Sequence, residues 1–411
     1  MNVSRLDGAD AAAALRALAP GGASVRRDVE AIVEGVRSGG DAALRDYVAR
    51  FDGYEGELRV AAHELDVAVA SLRSDVRDGL EIAMANVAAV AGASLGDDAE
   101  IELPQGQRVH VRELPVRRAA IYVPGGRAPY PSTVVMGVVT ARVAGVEEIA
   151  VCAPGSHDAI LAACALCGVD EVWRMGGAHG IAAFAYGTES VGRADVIAGP
   201  GGLHVQEAKR LVSGDVGIDG FLGPSDVLVL AAGDADPELI ALDLLAQAEH
   251  GEGTIAAAIS DDAALLDAVA ERVAGGAETG AAVATVLVAT LEEGLEVSEA
   301  FAPEHLELVG AAAEALAPRV RAAGCVFVGV AGATAFGDYV AGSNHSLPTG
   351  GAARFASALS PRAFRRRMAE VHIGAEAAAA LAKPGAAIAR AEGFRVHAES
   401  MEARVWKDGS R

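Results

Sequence analysis

Four short stretches of this chain concentrate the side chains that bind metals and move protons: Gln247-Ala248-Glu249-His250, Pro303-Glu304-His305-Leu306, Gly337-Asp338-Tyr339 and Glu392 through His397. Glutamine, histidine and aspartate offer oxygen and nitrogen donors of the kind that zinc accepts. Glu304 and His305 set two proton acceptors side by side. Together they point to metal-assisted proton chemistry. Each stretch also has a plainer reading. Gln247 and His250 sit at i, i+3 near the end of a helical pattern and can share one ligand, but a lone helix histidine equally serves as a surface or capping group. Glu304-His305 opens a strand, where the pair is either a surface turn or two bases with separate duties. Residues 391–397 read as a helix C-cap followed by an exposed tail.

The elements that must hold these groups are legible as a repeat. From residue 118 to 227 a short apolar strand ends in glycine and gives way to a helix, again and again: 119–123 into Pro124-Gly125-Gly126, 149–153 into Pro154-Gly155, 171–175 into Gly176-Gly177, and 195–198 into Gly199-Pro200-Gly201-Gly202. This spacing predicts a parallel, doubly wound sheet with ligand loops at the strand C-termini. A second series of apolar strands at 227–230, 255–259, 285–288, 306–309 and 326–330 predicts another α/β domain of similar build. Neither half carries G-x-G-x-x-G, so no dinucleotide fingerprint is present. Residues 24–51 and 66–90 read as amphipathic helices, and 109–113 as a strand entering the core. From Pro361 onward the chain reads as helical, through Arg365-Arg366-Arg367, with a break at Pro384-Gly385.

Composition narrows the class. The 411 residues carry 34 Lys and Arg against 56 Asp and Glu, a net charge of −22, which repels nucleic acid and anionic lipid and favours a cationic small substrate. Residues 1–19 carry Asp7 and Asp10 where a signal peptide needs basic residues, so the cytoplasm is the expected location. The four cysteines, at 152, 164, 167 and 325, are too scattered for a disulfide framework. Cys164-Ala165-Leu166-Cys167 has redox and zinc spacing, but it ends an apolar helix and has no second pair, which favours buried packing thiols.

The longer blocks Ile218-Asp219, Gly223-Pro224-Ser225, Asp243-Leu244-Leu245, Gln247 to His250, Gly337-Asp338-Tyr339 and Asn344 to Thr349 resemble, in order and spacing, the histidinol dehydrogenases. The likeness runs from about Ser24 to Arg404. It implies a zinc- and NAD-dependent enzyme that oxidises L-histidinol through the aldehyde to L-histidine. The resemblance makes Glu304 and His305 the proton acceptors and Gln247, His250, Asp338 and His397 the ligands of one zinc per subunit. Ser225 and Glu392 join them in binding substrate, and Tyr122, His179 and Gly202 take the cofactor positions. His345 is implied as a supporting group for the metal site. Glu392 and His397 are implied to reach into the neighbouring subunit, so that a homodimer with an exchanged C-terminal tail is the catalytic unit.

The expected architecture is therefore α/β, with two doubly wound, Rossmann-like domains. Residues 1–23 form an N-terminal helical segment, 24–121 with 228–360 a first α/β domain, 122–227 a second, and 361–411 a helical dimerisation tail. The chain departs from the family pattern in four places. Leu222 stands where alanine is usual, Asp226 where glutamate is usual, and His179 and Gly202 where amides are common. These departures leave room for a paralogue that oxidises a polyol or a sulfonated diol, while Glu392 and the full ligand set favour histidinol. A zinc-stabilised binding protein would keep the ligands but has no use for Glu304 and His305.

Overall fold

A strand that is apolar along its whole length cannot face water on either side, and it belongs in the middle of a parallel sheet covered by helices on both faces. Asp226–Ala231 and Ile255–Ser260 are buried at every position. The computed structural model describes residues 1–8, 10–19, 24–125, 128–155, 157–221 and 223–405, so Gly126, Leu222 and the last six residues lie outside the described residues. Asp226–Ala231 and Ile255–Ser260 sit in a six-stranded sheet whose spatial order is Val3–Asp7, Ala282–Leu287, Ile255–Ser260, Asp226–Ala231, His305–Val309, Cys325–Val328. Every pairing in it is parallel.

A second, five-stranded sheet runs Glu171–Trp173, Glu148–Cys152, Arg118–Tyr122, Val196–Ala198, Gly217–Ile218, again parallel throughout. Counted in chain order from Arg118–Tyr122 in one sheet and from Asp226–Ala231 in the other, both read 3-2-1-4-5, the order of a doubly wound sheet. The six-stranded sheet adds Val3–Asp7 beside its third strand, a strand in a segment that the sequence reads as helical. Alternate residues feed opposite faces: Val227 and Val229 belong to one apolar cluster, Leu228 and Leu230 to another. In the five-stranded sheet Ala119 and Ile121 divide in the same way from Ala120 and Tyr122.

The helices start where polar caps precede apolar runs. Asp236 accepts from Glu238 N at the head of Pro237–Ala248, and Asp262 accepts from Ala264 N and Leu265 N at the head of Ala263–Ala274. The packing of the early helices differs from the expected division of the chain, which groups residues 24–121 with the six-stranded sheet. Val29, Val36 and Leu44 of Arg26–Tyr47 pack with Phe184 and Ile197, and Leu80, Ala83 and Val87 of Ser74–Ala93 pack with Ile121 and Val138. Both helices thus cover the five-stranded sheet. The helix read over 66–90 is two helices, Ala62–Ser71 and Ser74–Ala93.

Residues 95–115 and 365 onward form a separate compact unit. Here the structure corrects the expectation of a wholly helical tail. Arg365–His372 is a strand, antiparallel to Arg108–Pro115, which pairs in turn with Ala99–Glu102. Its three arginines are strand residues: Arg367 pairs across the strands with Glu113, and Arg365 donates to the Glu113 carbonyl at 2.6 Å. The chain then enters helix Ala375–Ala391, which runs through Pro384 without breaking. The helix ends instead near Gly393, whose φ of +84° suits glycine. Helix Arg395–Glu402 folds back on it through Ala386, Ala389 and Ala398. Among the described residues no helix is long and apolar enough to cross a membrane.

Candidate active site

Glu304 immediately precedes strand His305–Val309 of the six-stranded sheet, and Ser225 immediately precedes its neighbour Asp226–Ala231, so the two pairs meet at the amino-terminal edge of the sheet. Helix Pro237–Ala248 follows Asp226–Ala231 and ends with Gln247 and the turn residue His250. Asp338 comes from the short helix Thr334–Tyr339 after Cys325–Val328. Contacts tie the group together. Gln247 Nε2 donates to Ser225 Oγ at 2.5 Å, and Ser225 in turn donates to Glu304 Oε2, which also receives Asp226 N at 3.1 Å. His305 Nε2 lies 3.7 Å from Asp338 Oδ1.

The tautomer of His305 is fixed by its surroundings. Its Nδ1–H points at the Asp226 carbonyl, 3.2 Å away, which leaves the lone pair on Nε2. Burial pushes its pKa down to about 3, aided by His250 and His345 nearby, so the ring is neutral with its Nε2 lone pair open, and a proton placed on it is readily passed on. Burial first, and then the Asp226 carboxylate, raise Glu304 well above the usual carboxylate range, which makes it a stronger base than an exposed glutamate. Asp226 is held from the other side by Arg16, whose Nη1 donates to it at 2.7 Å. The same guanidinium donates to the Phe301 carbonyl at 2.7 Å and lies 3.4 Å from the Phe301 ring centroid. It also reaches the carbonyl of Ala302, the one non-glycine residue at positive φ among the described residues. Arg16 thus supports the strained turn that delivers Glu304 and His305.

Whether this corner suits a cation can be tested on its donors. Gln247 spends its Nε2 on Ser225 and keeps its carbonyl oxygen, and Asp338 is a carboxylate that burial alone raises to about 6. His345 is half-buried, its pKa lowered to about 4 by desolvation, and its buried Nε2 has no hydrogen-bond partner. Gln247 and His250 also stand at a helix C-terminus, whose dipole favours positive charge. These donors fit a zinc-like ion. Among the described residues no group of three His, Cys, Asp or Glu is arranged to hold a metal. Gln247 falls outside that residue set, and His397 belongs to the other compact unit.

The five-stranded sheet presents its carboxyl edge differently. Its switch point lies between Arg118–Tyr122 and Val196–Ala198, where a doubly wound sheet opens a crevice for ligands. Tyr122 is buried, and its hydroxyl receives Gly177 N at 3.2 Å. Gly199, at φ +131°, passes so close to Tyr122 that a Cβ would lie 2.0 Å from its carbonyl oxygen. Buried Lys209 and Asp219 pin this loop. Lys209 bonds to the Gly199 carbonyl at 3.0 Å and to Asp219, and Asp219 receives Gly199 N at 2.7 Å. His179 is buried, with Nε2 2.9 Å from Asp52 and its ring stacked near Tyr47 and Phe51. Gly202 caps helix Leu203–Val212, with open space around its missing Cβ.

The structure thus brings together Ser225, Gln247, Glu304, His305 and Asp338, with His250 and His345 close enough to His305 to bias its charge. Glu392 and His397 are exposed on the second unit, the His397 ring 5.1 Å from that of Phe394. Sequence reading did not assign roles to Arg16, Asp52, Lys209 or Glu307. Only the last had a signal, standing two residues beyond His305 on the same strand face.

Comparison with known proteins points one way. The sequence profile described as histidinol dehydrogenase matches residues 20–405. The histidinol dehydrogenase of Parasynechococcus marenigrum is 42% identical over 398 residues, covering 93% of this chain and 91% of its own. That of Gluconobacter oxydans is 41% identical over 403 residues, covering 94% of each. The crystal structure of histidinol dehydrogenase from Elizabethkingia anophelis superposes with a TM-score of 0.90 at 28% identity, covering 98% of both chains.

Proposed function

The chain belongs to the histidinol dehydrogenase family, and from that premise we propose that it oxidises L-histidinol through L-histidinaldehyde to L-histidine, reducing two NAD+, as a cytoplasmic enzyme. The observation that carries this reading is a neutral, buried His305 with its Nε2 lone pair exposed to the site beside the basic carboxyl of Glu304. In the first oxidation His305 Nε2 takes the hydroxyl proton while the carbon gives up hydride, leaving aldehyde, NADH and a protonated ring. Glu304 then takes a proton from the water that adds to the aldehyde. His305, having released its proton, accepts one from the hydrated aldehyde as the second hydride departs, and the carboxylate forms.

Gln247, His250 and Asp338, with His397 supplied from the second chain of a homodimer, would hold one zinc per subunit. When bound, that ion offers a template for the imidazole and amino nitrogens of the substrate. Ser225, already bridging Gln247 and Glu304, orients the substrate, and Glu392 of the exchanged tail contacts it. The loops around Tyr122, His179 and Gly202 accept NAD+, with backbone groups at the switch point supporting its phosphates.

Purified protein should produce two NADH per L-histidinol. Turnover of a polyol or a sulfonated diol with none of histidinol would replace this reading with the paralogue. The shared site has its own test: Asp338→Ala and His397→Ala proteins, each inactive, should regain roughly a quarter of wild-type activity when unfolded and refolded together, from random pairing alone. No recovery would assign His397 to its own chain.

A further inference from the structure

The first segment of the chain reaches the two bases through one side chain. Arg16 lies in the last turn of helix Ala11–Leu18, whose residues Ala11, Ala12 and Leu15 share an apolar cluster with Phe301. Its Nη1 donates to Asp226 Oδ2 at 2.7 Å and its Nη2 to the Phe301 carbonyl at 2.7 Å, with the guanidinium 3.4 Å from the Phe301 ring centroid. Among the described residues it is the only cation paired with Asp226. Phe301 ends helix Leu291–Phe301, where carbonyls lack partners further along the helix. Ala302 follows at φ +52°, a conformation that alanine disfavours and that Pro303 restricts further.

Asp226 passes the hold on to Glu304. Its Oδ1 accepts Glu304 N at 2.6 Å, while Asp226 N donates to Glu304 Oε2 at 3.1 Å. Two bonds in opposite directions thus tie Glu304 to Asp226, and Arg16 ties down both Asp226 and the turn that leads to Glu304. His305 depends on this less. It lies within the strand, in register with Val227 on one side and Cys325 on the other, and its ring donates to the backbone carbonyl of Asp226 and not to the carboxylate. We infer that Arg16 is a positioning residue for Glu304, and that it thereby governs the aldehyde half of the reaction while the alcohol half rests on His305. The inference rests on the reading of the site given above. Without the guanidinium the turn loses its brace, and the Asp226 carboxylate is left buried and uncompensated beside Glu304.

The experiment compares wild type, R16A and R16K in stopped-flow NADH formation, following the first hydride from histidinol or from histidinaldehyde. Each is run with and without free guanidinium, against sodium chloride at the same ionic strength, and hydrogen exchange of the peptide spanning residues 301–306 is followed alongside. The Arg16 side chain is 29% exposed, so the space that R16A leaves opens to solvent and a guanidinium ion can enter it. R16A should lose on the order of 100-fold in rate from the aldehyde, the effect of moving a reacting group by about 1 Å, and far less from the alcohol. Free guanidinium should restore aldehyde oxidation and slow the exchange of 301–306, and sodium chloride should do neither. R16K keeps the charge but cannot span carboxylate and carbonyl together, so it should fall between, about tenfold below wild type on the aldehyde. Equal losses from both substrates, wild-type aldehyde oxidation in R16A, or sodium chloride restoring as much as guanidinium would each overturn the inference. If R16A fails to fold, R16K carries the comparison, and a wild-type aldehyde rate in it is the overturning result. Wild type that oxidises neither substrate, with exchange at 301–306 still faster in R16A and slowed by guanidinium, would instead overturn the functional reading alone.

Discussion

The two parallel sheets share a strand order but work from opposite ends. At the carboxyl edge of the five-stranded sheet, strands run into glycine-rich turns and then into helix N-termini. What such an edge offers is backbone N–H and a positive dipole, suited to a phosphate-bearing ligand. Its charged residues, Lys209, Asp219 and Asp52, are spent on loop backbone and on His179. The amino edge of the six-stranded sheet receives helix C-termini and carbonyls, a negative environment, and there the side chains of the proposed site gather: Gln247, Glu304, His305 and Asp338. One topology therefore furnishes an end suited to anions and an end suited to cations, and the proposed function draws on one from each sheet.

Removing the cation should have the largest effect. Chelation is expected to abolish NADH formation from histidinol while leaving the far-ultraviolet circular dichroism nearly unchanged; full activity in metal-free protein would break the contrast between the edges. Next come the two bases. His305→Asn should slow the oxidation of both alcohol and aldehyde by about 10²–10⁴-fold. Glu304→Gln should slow mainly the aldehyde step, and stopped-flow traces started from either substrate show whether the two bases divide the work.

On the other edge the effects should be smaller and should appear in binding. Gly202→Asn meets no atoms within 4 Å and would add both a helix cap and an amide. It should lower KM for NAD+ by about fivefold, the worth of one hydrogen bond near 1 kcal/mol, with kcat unchanged. A changed kcat would mean that this loop takes part in chemistry. The smallest effect is on stability. In metal-free protein the folded His305 resists protonation down to about pH 3, whereas the unfolded ring takes a proton below its ordinary value of 6.5. Stability from this group is therefore full above pH 6.5 and falls as pH drops. His305→Asn should make the acid-side slope of unfolding free energy shallower by about 1.4 kcal/mol per pH unit. Urea titrations at several pH values measure it.

Much of the fold was legible because the strands are apolar throughout and punctuated by glycine. The nine strands read between residues 119 and 330 all occur, with shifted ends. Arg365–His372 escaped because three arginines hide a strand whose partners lie about 250 residues away, and Val3–Asp7 because an edge strand is short and half polar. The site was legible only as types and order. His305 and Glu304 stand out in the letters, but Arg16 bracing their turn, and Glu307 accepting from Thr334, depend on contacts that no local pattern encodes.

The first strand of the six-stranded sheet has a consequence for how the protein is made. Everything in the five-stranded sheet lies before residue 219, so it can assemble while the ribosome is still at work. Val3–Asp7, by contrast, must wait for Ala282–Leu287, and Arg16 for Asp226 and Phe301. At about 5–20 residues per second that wait is on the order of tens of seconds, during which the earliest segment is an unpaired strand available to chaperones and proteases. Stalled nascent chains should be cut within residues 1–19 until synthesis has passed residue 301, and protection at shorter lengths would show that the segment finds shelter elsewhere first.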